Sequence, residues 1–119
     1  AFENLWIEHA IKISEILGFS GIEYSFGPYF SAPGKESGVQ IDLLFDRNDK
    51  VITLCEMKYT LASVGTAVIQ DVERKVNILQ SKFKQKTIQK ILISLSPPTK
   101  DLTATGYFFK VIHPESFLK

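Results

Sequence analysis

The 119-residue chain reads as an α/β domain in which helices flank a mixed β-sheet. Two stretches with helical periodicity, several short β-rich runs and their order, α-β-β-β-α-β-β, carry that expectation. In residues 2–17, Phe2, Trp6, Ala10, Ile13 and Leu17 recur at steps of three and four, and Gly18 supplies a stop. Residues 21–31 mix aromatics with Gly27 and Pro28, which predicts an irregular or edge strand before a loop over 32–38. Residues 39–46 and 51–59 are β-rich and separated by Arg47, Asn48, Asp49 and Lys50, a hairpin signal. A second helix is expected over 66–83, where Ile69, Val72, Val76, Leu79 and Phe83 keep the helical spacing. Residues 88–95 read as a buried strand, 96–100 as a break, 107–112 as a last strand, and Pro114 as the opening of a short terminal helix. The third strand, second helix and fourth strand form a β-α-β crossover.

Bulk properties narrow the classes. A chain of this length with 45% hydrophobic residues buries one core, so a single domain over residues 1–119 is expected. No apolar run approaches the roughly 20 residues that span a bilayer, and the opening residues lack a signal-peptide pattern; a soluble, cytoplasmic protein is expected. A single cysteine, Cys55, excludes an internal disulfide, and no Cys or His spacing suits zinc. The chain begins with Ala inside an amphipathic pattern, which suggests a piece of something longer. Net charge is only +1, which counts against a dedicated nucleic-acid binder. Lys82, Lys84, Lys86 and Lys90 nevertheless fall in nine residues without an acid, either a solvated helix end or a basic patch.

The chemistry-bearing residues lie on the hairpin. Asp42 stands among apolar neighbours in a strand, where an unpaired charge is costly. On the following strand Glu56 and Lys58 share a face, while Cys55 and Met57 point to the other. With Asn48, Asp49 and Lys50 as a three-residue loop, Arg47 faces Val51 and Asp42 faces Glu56; a four-residue loop without a bulge opposes Asp42 to Cys55 instead. Two adjacent carboxylates repel, and a hard divalent cation such as Mg²⁺ reconciles them, since it takes one or two carboxylates and keeps water for a phosphate or nucleophile. Lys58 beside it would hold the scissile phosphate or orient the attacking water. Glu3 falls inside the apolar arc of the first helix, either as a helix-start acid or as a group aimed at the sheet and its metal. The bland alternative is a surface ion pair between Glu56 and Lys58 with Asp42 merely exposed.

Asp42, thirteen residues, then Glu56-Met57-Lys58 is similar to the D-x(n)-(D/E)-x-K signature of the PD-(D/E)XK nuclease superfamily. The element order resembles that superfamily's α-β-β-β-α-β core, with Glu3 on the first helix, Asp42 on the second strand and Glu56 to Lys58 on the third. The phrases around Asp42 and Glu56 look closer still to the nuclease-like domain at the C-terminus of certain prokaryotic AAA-type ATP-binding proteins. The likeness covers nearly the whole chain. It implies a restriction-endonuclease-like core and a Mg²⁺-dependent nuclease, with Mn²⁺ as a substitute, hydrolysing phosphodiester bonds in DNA. It also implies an upstream ATPase domain. The alternative it leaves is an inactive nuclease-fold module that binds nucleic acid or regulates the ATPase. By the same resemblance Asp42, Glu56, Glu3 and the Met57 carbonyl are metal ligands, and Gln40, on the strand face of Asp42, positions water or phosphate. Lys75, on the second helix beside Val68 and Val72, is either a phosphate contact or a snorkelling lysine. Ile41 rather than Pro precedes Asp42, a departure that is common in the superfamily.

The remaining candidates receive structural roles: Cys55 as a small core residue, His9 and His113 without ligand partners, and Tyr24, Phe26, Tyr29 and Phe30 as core rather than base-stacking residues.

Overall fold

The computed structural model describes residues 2–31 and 38–118, with side chains from Trp6 onward. The elements run α1 (Phe2–Leu17), β1 (Tyr24–Phe30), β2 (Gln40–Arg47), β3 (Val51–Lys58), α2 (Ala67–Lys82), β4 (Thr87–Ser94), α3 (Lys100–Thr105), β5 (Lys110–Ile112) and a 3-10 turn (Pro114–Ser116). The five strands form one mixed sheet in the order β1-β2-β3-β4-β5. The pairs β1–β2 and β2–β3 are antiparallel; β3–β4 and β4–β5 are parallel. The expected β-α-β crossover is therefore β3-α2-β4. The loop expected over 32–38 lies, apart from Gly38, outside the described residues.

Alternation along the strands sorts the core into two layers. Ala10 and Ile13 of α1 pack with Phe19, Leu43, Phe45, Cys55, Ile91 and Ile93 on one side of the sheet. Val68, Val72 and Leu79 of α2 pack with Leu44, Ile52, Leu54 and Leu92 on the other. Gly18 ends α1 at a φ of 83°, a conformation that costs glycine little. Cys55 is fully buried, and His9 is buried with its ring edge-on to Trp6 and Phe117. The His113 ring nitrogen Nδ1 accepts from the Glu115 amide, capping the last turn. Tyr24 and Phe26 join the α1-side core and Tyr29 the α2-side core, whereas Phe30 is exposed.

The hairpin between β2 and β3 closes as the three-residue loop. Leu43 faces Cys55, Leu44 faces Leu54, Phe45 faces Thr53 and Asp46 faces Ile52, a register that leaves Asn48, Asp49 and Lys50 as the turn. Lys50 takes a φ of 65°, the left-handed residue that closes such loops. Arg47 braces the turn with a two-pronged contact to Asp49 at 3.1 and 2.7 Å. Its guanidinium also stacks over the Phe19 ring at 4.3 Å and donates to Thr53 and Gln89 at 3.2 Å.

A second irregularity sits across the sheet. On β1 and β2, Gly27 pairs with Leu44 but Tyr29 pairs with Ile41, so three steps along β2 oppose two along β1. One extra residue is thus accommodated at Asp42–Leu43, opposite Pro28, and this is a bulge. Pro28 has no N–H to lose there. The bulge breaks strict alternation: Ile41 packs beneath α2, whereas Leu43, two residues on, packs beneath α1.

Helix α3 was not expected from the sequence, which treats residues 96–100 as a break and begins the last strand at 107. The Thr99 side chain caps it by accepting from the Leu102 amide at 3.2 Å, and Gly106 ends it at a φ of 62°. Tyr107 and Phe108 then pack against the α2-side core, and the strand starts only at Lys110. The lysine run is largely spent within the molecule: Lys86 pairs with Asp46 at 2.7 Å, Lys82 lies over Tyr29 at 5.9 Å and Lys90 over Tyr107 at 4.2 Å.

Lys50 holds a conformation that glycine adopts at lower cost, so Lys50→Gly is expected to raise stability by about 0.5–1 kcal/mol. Lys50→Val should lower it by a similar amount or more, and urea unfolding midpoints of the two variants check the sign.

Candidate functional site

Strand β3 runs between β2 and β4, so its side chains meet a helix layer on either face. Glu56 lies on the α2 face and is only 4% exposed. A buried carboxylate requires a partner, and α2 supplies it. Its apolar stripe of Val68, Val72 and Leu79 is interrupted by Lys75, which is itself buried. Lys75 Nζ donates to Glu56 Oε1 at 2.8 Å, and Lys58 Nζ stands 3.4 Å from Oε2. One turn earlier on α2, Asp71 Oδ2 lies 3.4 Å from Lys75. An acid four residues before a lysine is the favourable order on a helix. Glu56, Lys58, Lys75 and Asp71 thus form one alternating cluster of charges between β3 and α2.

Each charge depends on the others. Burial opposes the Lys75 ammonium, but the hydrogen bond and charge of Glu56, joined by Asp71, outweigh it and raise its pKa. Burial pushes Asp71 up, yet Lys75, Arg74 and the more distant Lys58 together draw it below the usual carboxylate value. Above the cluster the Tyr107 hydroxyl donates to Glu73. Burial, that bond and the charges of Glu73 and Glu56 all push the Tyr107 hydroxyl upward, so it remains protonated.

Asp42 occupies a different position. It lies one residue beyond the last ladder pair, Leu43–Cys55, and continuing that register sets it opposite Glu56. It is exposed, and it borders a hollow with Trp6, Ile7, Phe26, Pro28 and Leu43 on the α1 side. Tyr59, just past the end of β3, has its pKa raised by burial first and by the Asp42 charge second, so Asp42 lies near that strand end. The three-residue-loop register holds as far as Leu43–Cys55, where the ladder ends. Asp42 does not follow Glu56 onto the α2 face, because alternation breaks at the bulge. Gln40, two residues before Asp42 on β2, is exposed and pairs with Phe30. Met57 packs its side chain toward the α1-side core, which leaves its backbone between Glu56 and Lys58. Glu3 lies within α1, but its side chain is outside the described residues.

Two of the sequence alternatives resolve here. Lys75 does not snorkel to solvent: it is buried and bonded to Glu56. Glu56 and Lys58 are not a surface pair on a solvated face, since α2 covers Glu56. Asp71 was missed, although its place four residues before Lys75 was a usable signal. Tyr107 and Glu73 carried none, because their meeting depends on how α3 brings the chain back over α2.

The donors present suit a hard divalent cation by type, for the Asp42 and Glu56 carboxylates and the Met57 carbonyl are all oxygens. Among the described residues Glu56 Oε2 meets Lys58 alone, at a distance longer than a close hydrogen bond, and so retains capacity as a cation ligand. Among the described residues no three acidic, His or Cys side chains converge. A cation here would rest on few protein ligands and keep water, as Mg²⁺ commonly does.

The layered arrangement of α1, the mixed sheet and the β3-α2-β4 crossover is a restriction-endonuclease-like fold. A repair endonuclease from Pyrococcus abyssi superposes with a TM-score of 0.54 at 16% identity, over 89% of this chain and 44% of that one. A protein of unknown function, AF1548, superposes with a TM-score of 0.59 at 11% identity, over 92% of this chain and 56% of that one. The chain thus spans about half the length of these structures. No protein-family model and no curated protein matches the sequence.

Removing one partner of a buried ion pair strands the other, so Lys75→Met is expected to cost about 3 kcal/mol. A Glu56→Leu, Lys75→Met double variant should lose less than Lys75→Met alone, as read by urea unfolding. The pH dependence follows from the raised pKa of Lys75. Its stabilising share is complete below the ordinary lysine value of 10.5 and declines as pH rises through the higher folded value. The stability gap between wild type and Lys75→Met should therefore stay level through neutral pH and narrow only in strong alkali.

Proposed function

We propose that this chain is a metal-dependent nuclease domain that hydrolyses phosphodiester bonds, with DNA as its substrate. The observation that carries the proposal is the division of labour around Glu56. Lys75 neutralises the carboxylate from inside, which leaves Lys58, with 35% of its side chain exposed, as the cation able to turn outward. The fold shared with a repair endonuclease supports the reading, as does the D-x(n)-E-x-K spacing of the sequence.

In this reading Asp42 and Glu56 hold the cation, joined by Glu3 and the Met57 carbonyl as the family resemblance implies. Bound Mg²⁺, or Mn²⁺ in its place, supplies a Lewis acid and a more acidic water. Lys58 does the rest of the charge work. Its ammonium sits beside Glu56 in the resting site and can pair with a non-bridging phosphate oxygen, stabilising the negative charge that grows there as water attacks. Lys75 and Asp71 fix the Glu56 carboxylate on the α2 side, so that Oε2, the oxygen beside Lys58, has one orientation. Gln40 lies on β2 two residues before Asp42, where it serves water or phosphate positioning. The likeness to domains attached to AAA-type ATP-binding proteins supports a longer chain in which an ATPase presents the nucleic acid.

The test is cleavage of plasmid and single-stranded DNA with and without Mg²⁺, by the wild type and by Lys58→Ala. Loss of one preorganised donor predicts a fall of about a hundredfold or more for the variant. Equal activity of the two would mean a contaminating enzyme and would sink the assignment. Mn²⁺ binding that disappears in Asp42→Ala, without any cleavage by the wild type, would instead identify an inactive nuclease-fold module.

A further inference from the structure

We infer that Lys75 makes cation binding at Glu56 conditional on a bound phosphodiester. The inference rests on the proposed function, in which Glu56 is a cation ligand. It begins from the occupancy of the carboxylate. Both oxygens already face an ammonium, Oε1 from Lys75 at 2.8 Å and Oε2 from Lys58 at 3.4 Å. The two lysines differ in their freedom. Lys58 is partly exposed and can swing away, whereas Lys75 is 8% exposed, projects from the middle of α2 and is held on its other side by Asp71. A divalent cation that shares Glu56 must therefore remain close to the Lys75 charge.

Two positive centres a few ångströms apart in a partly buried site repel strongly, because the surrounding dielectric screens them far less than water does. The resting cluster avoids that repulsion by balancing itself: Glu56 and Asp71 offset Lys58 and Lys75. Entry of a divalent cation leaves an excess of positive charge, and a phosphodiester supplies the anion that removes it. Cation and phosphodiester should accordingly raise each other's affinity, and by the same factor, since the coupling between two ligands is reciprocal. Lys75 acts through Glu56 and the cation rather than on the reacting atoms, so it is a positioning residue. Its effect is a safeguard, for a site that holds its metal poorly without substrate has little chance to activate water idly.

The test measures Mn²⁺ affinity by titration calorimetry and by the electron paramagnetic resonance signal of free Mn²⁺. It uses the wild type, Lys75→Met, Lys75→Gln and Lys75→Arg. Each is measured alone, with a charged phosphorothioate oligonucleotide that resists hydrolysis, and with its uncharged methylphosphonate counterpart. For the wild type, Mn²⁺ should bind on the order of tenfold tighter with the charged oligonucleotide and no tighter with the uncharged one. Lys75→Met should bind Mn²⁺ alone on the order of tenfold tighter than wild type, with most of the coupling gone. Lys75→Gln keeps a hydrogen-bond donor without the charge and should behave as Lys75→Met does, which secures the comparison if the methionine variant unfolds. Lys75→Arg keeps the charge and should retain the coupling. Mn²⁺ binding by the wild type that is equal to, or tighter than, that of both uncharged variants would overturn this inference alone. Absence of Mn²⁺ binding from every protein would overturn the proposed function and this inference with it.

Discussion

A carboxylate in the middle of a sheet, covered by a helix, has to be compensated from within, and in this chain Glu56 sets that demand. Lys75 meets it from α2 at 2.8 Å, and Asp71 in turn steadies Lys75. The pair costs the helix a place in its apolar stripe, where a hydrophobic residue would pack Val72 and Leu79 more simply. Buried ion pairs are seldom the most stable use of such a position. Their retention is easier to understand where the carboxylate has work to do, and Glu56 lies two residues from Lys58 at the C-terminal end of β3.

Around that pair the architecture does two things at once. The three-residue turn with Lys50 in the left-handed conformation fixes the β2–β3 register, and with it the approach of Asp42 to the end of β3. The bulge opposite Pro28 then turns β2 away from strict alternation at that same residue. Bulges commonly re-aim a side chain where pairing ends. Asp42 thus stands where the strands part, near Tyr59 and the apolar hollow beneath α1, while Glu56 is anchored toward α2. Trp6 and Ile7 of α1 border the hollow beside Asp42, so the two acids stand at the end of the same hairpin but toward different helices.

Much of this was legible in the sequence because period and turn chemistry are local. The helical spacing of Trp6, Ala10 and Ile13, the β-rich runs either side of Asn48–Lys50, and the alternation of Cys55 and Glu56 each required only neighbouring residues. Lys75 was legible as ambiguous: its wheel position allowed a buried or a surfacing ammonium, and only the packing of α2 against β3 decides. The bulge was not legible, since it depends on how β1 and β2 count against each other across a loop. Neither was α3, whose Thr99 cap and Gly106 stop are present in the sequence but enclose too few residues to show a periodicity. The lysine run misled in a different way. Its charges look like a patch until tertiary structure gives them Asp46, Tyr29 and Tyr107 as partners.

In the proposed function the Glu56 carboxylate, held in place by Lys75, is a ligand for a hard cation. The most direct measurement is the anomalous scattering map of a crystal grown with Mn²⁺ and a hydrolysis-resistant oligonucleotide. A peak in contact with a Glu56 oxygen and the Asp42 carboxylate, with Lys75 still beside Glu56, is the expected result. Saturating Mn²⁺ with no peak at Glu56, its two oxygens remaining with Lys75 and Lys58 alone, would contradict it.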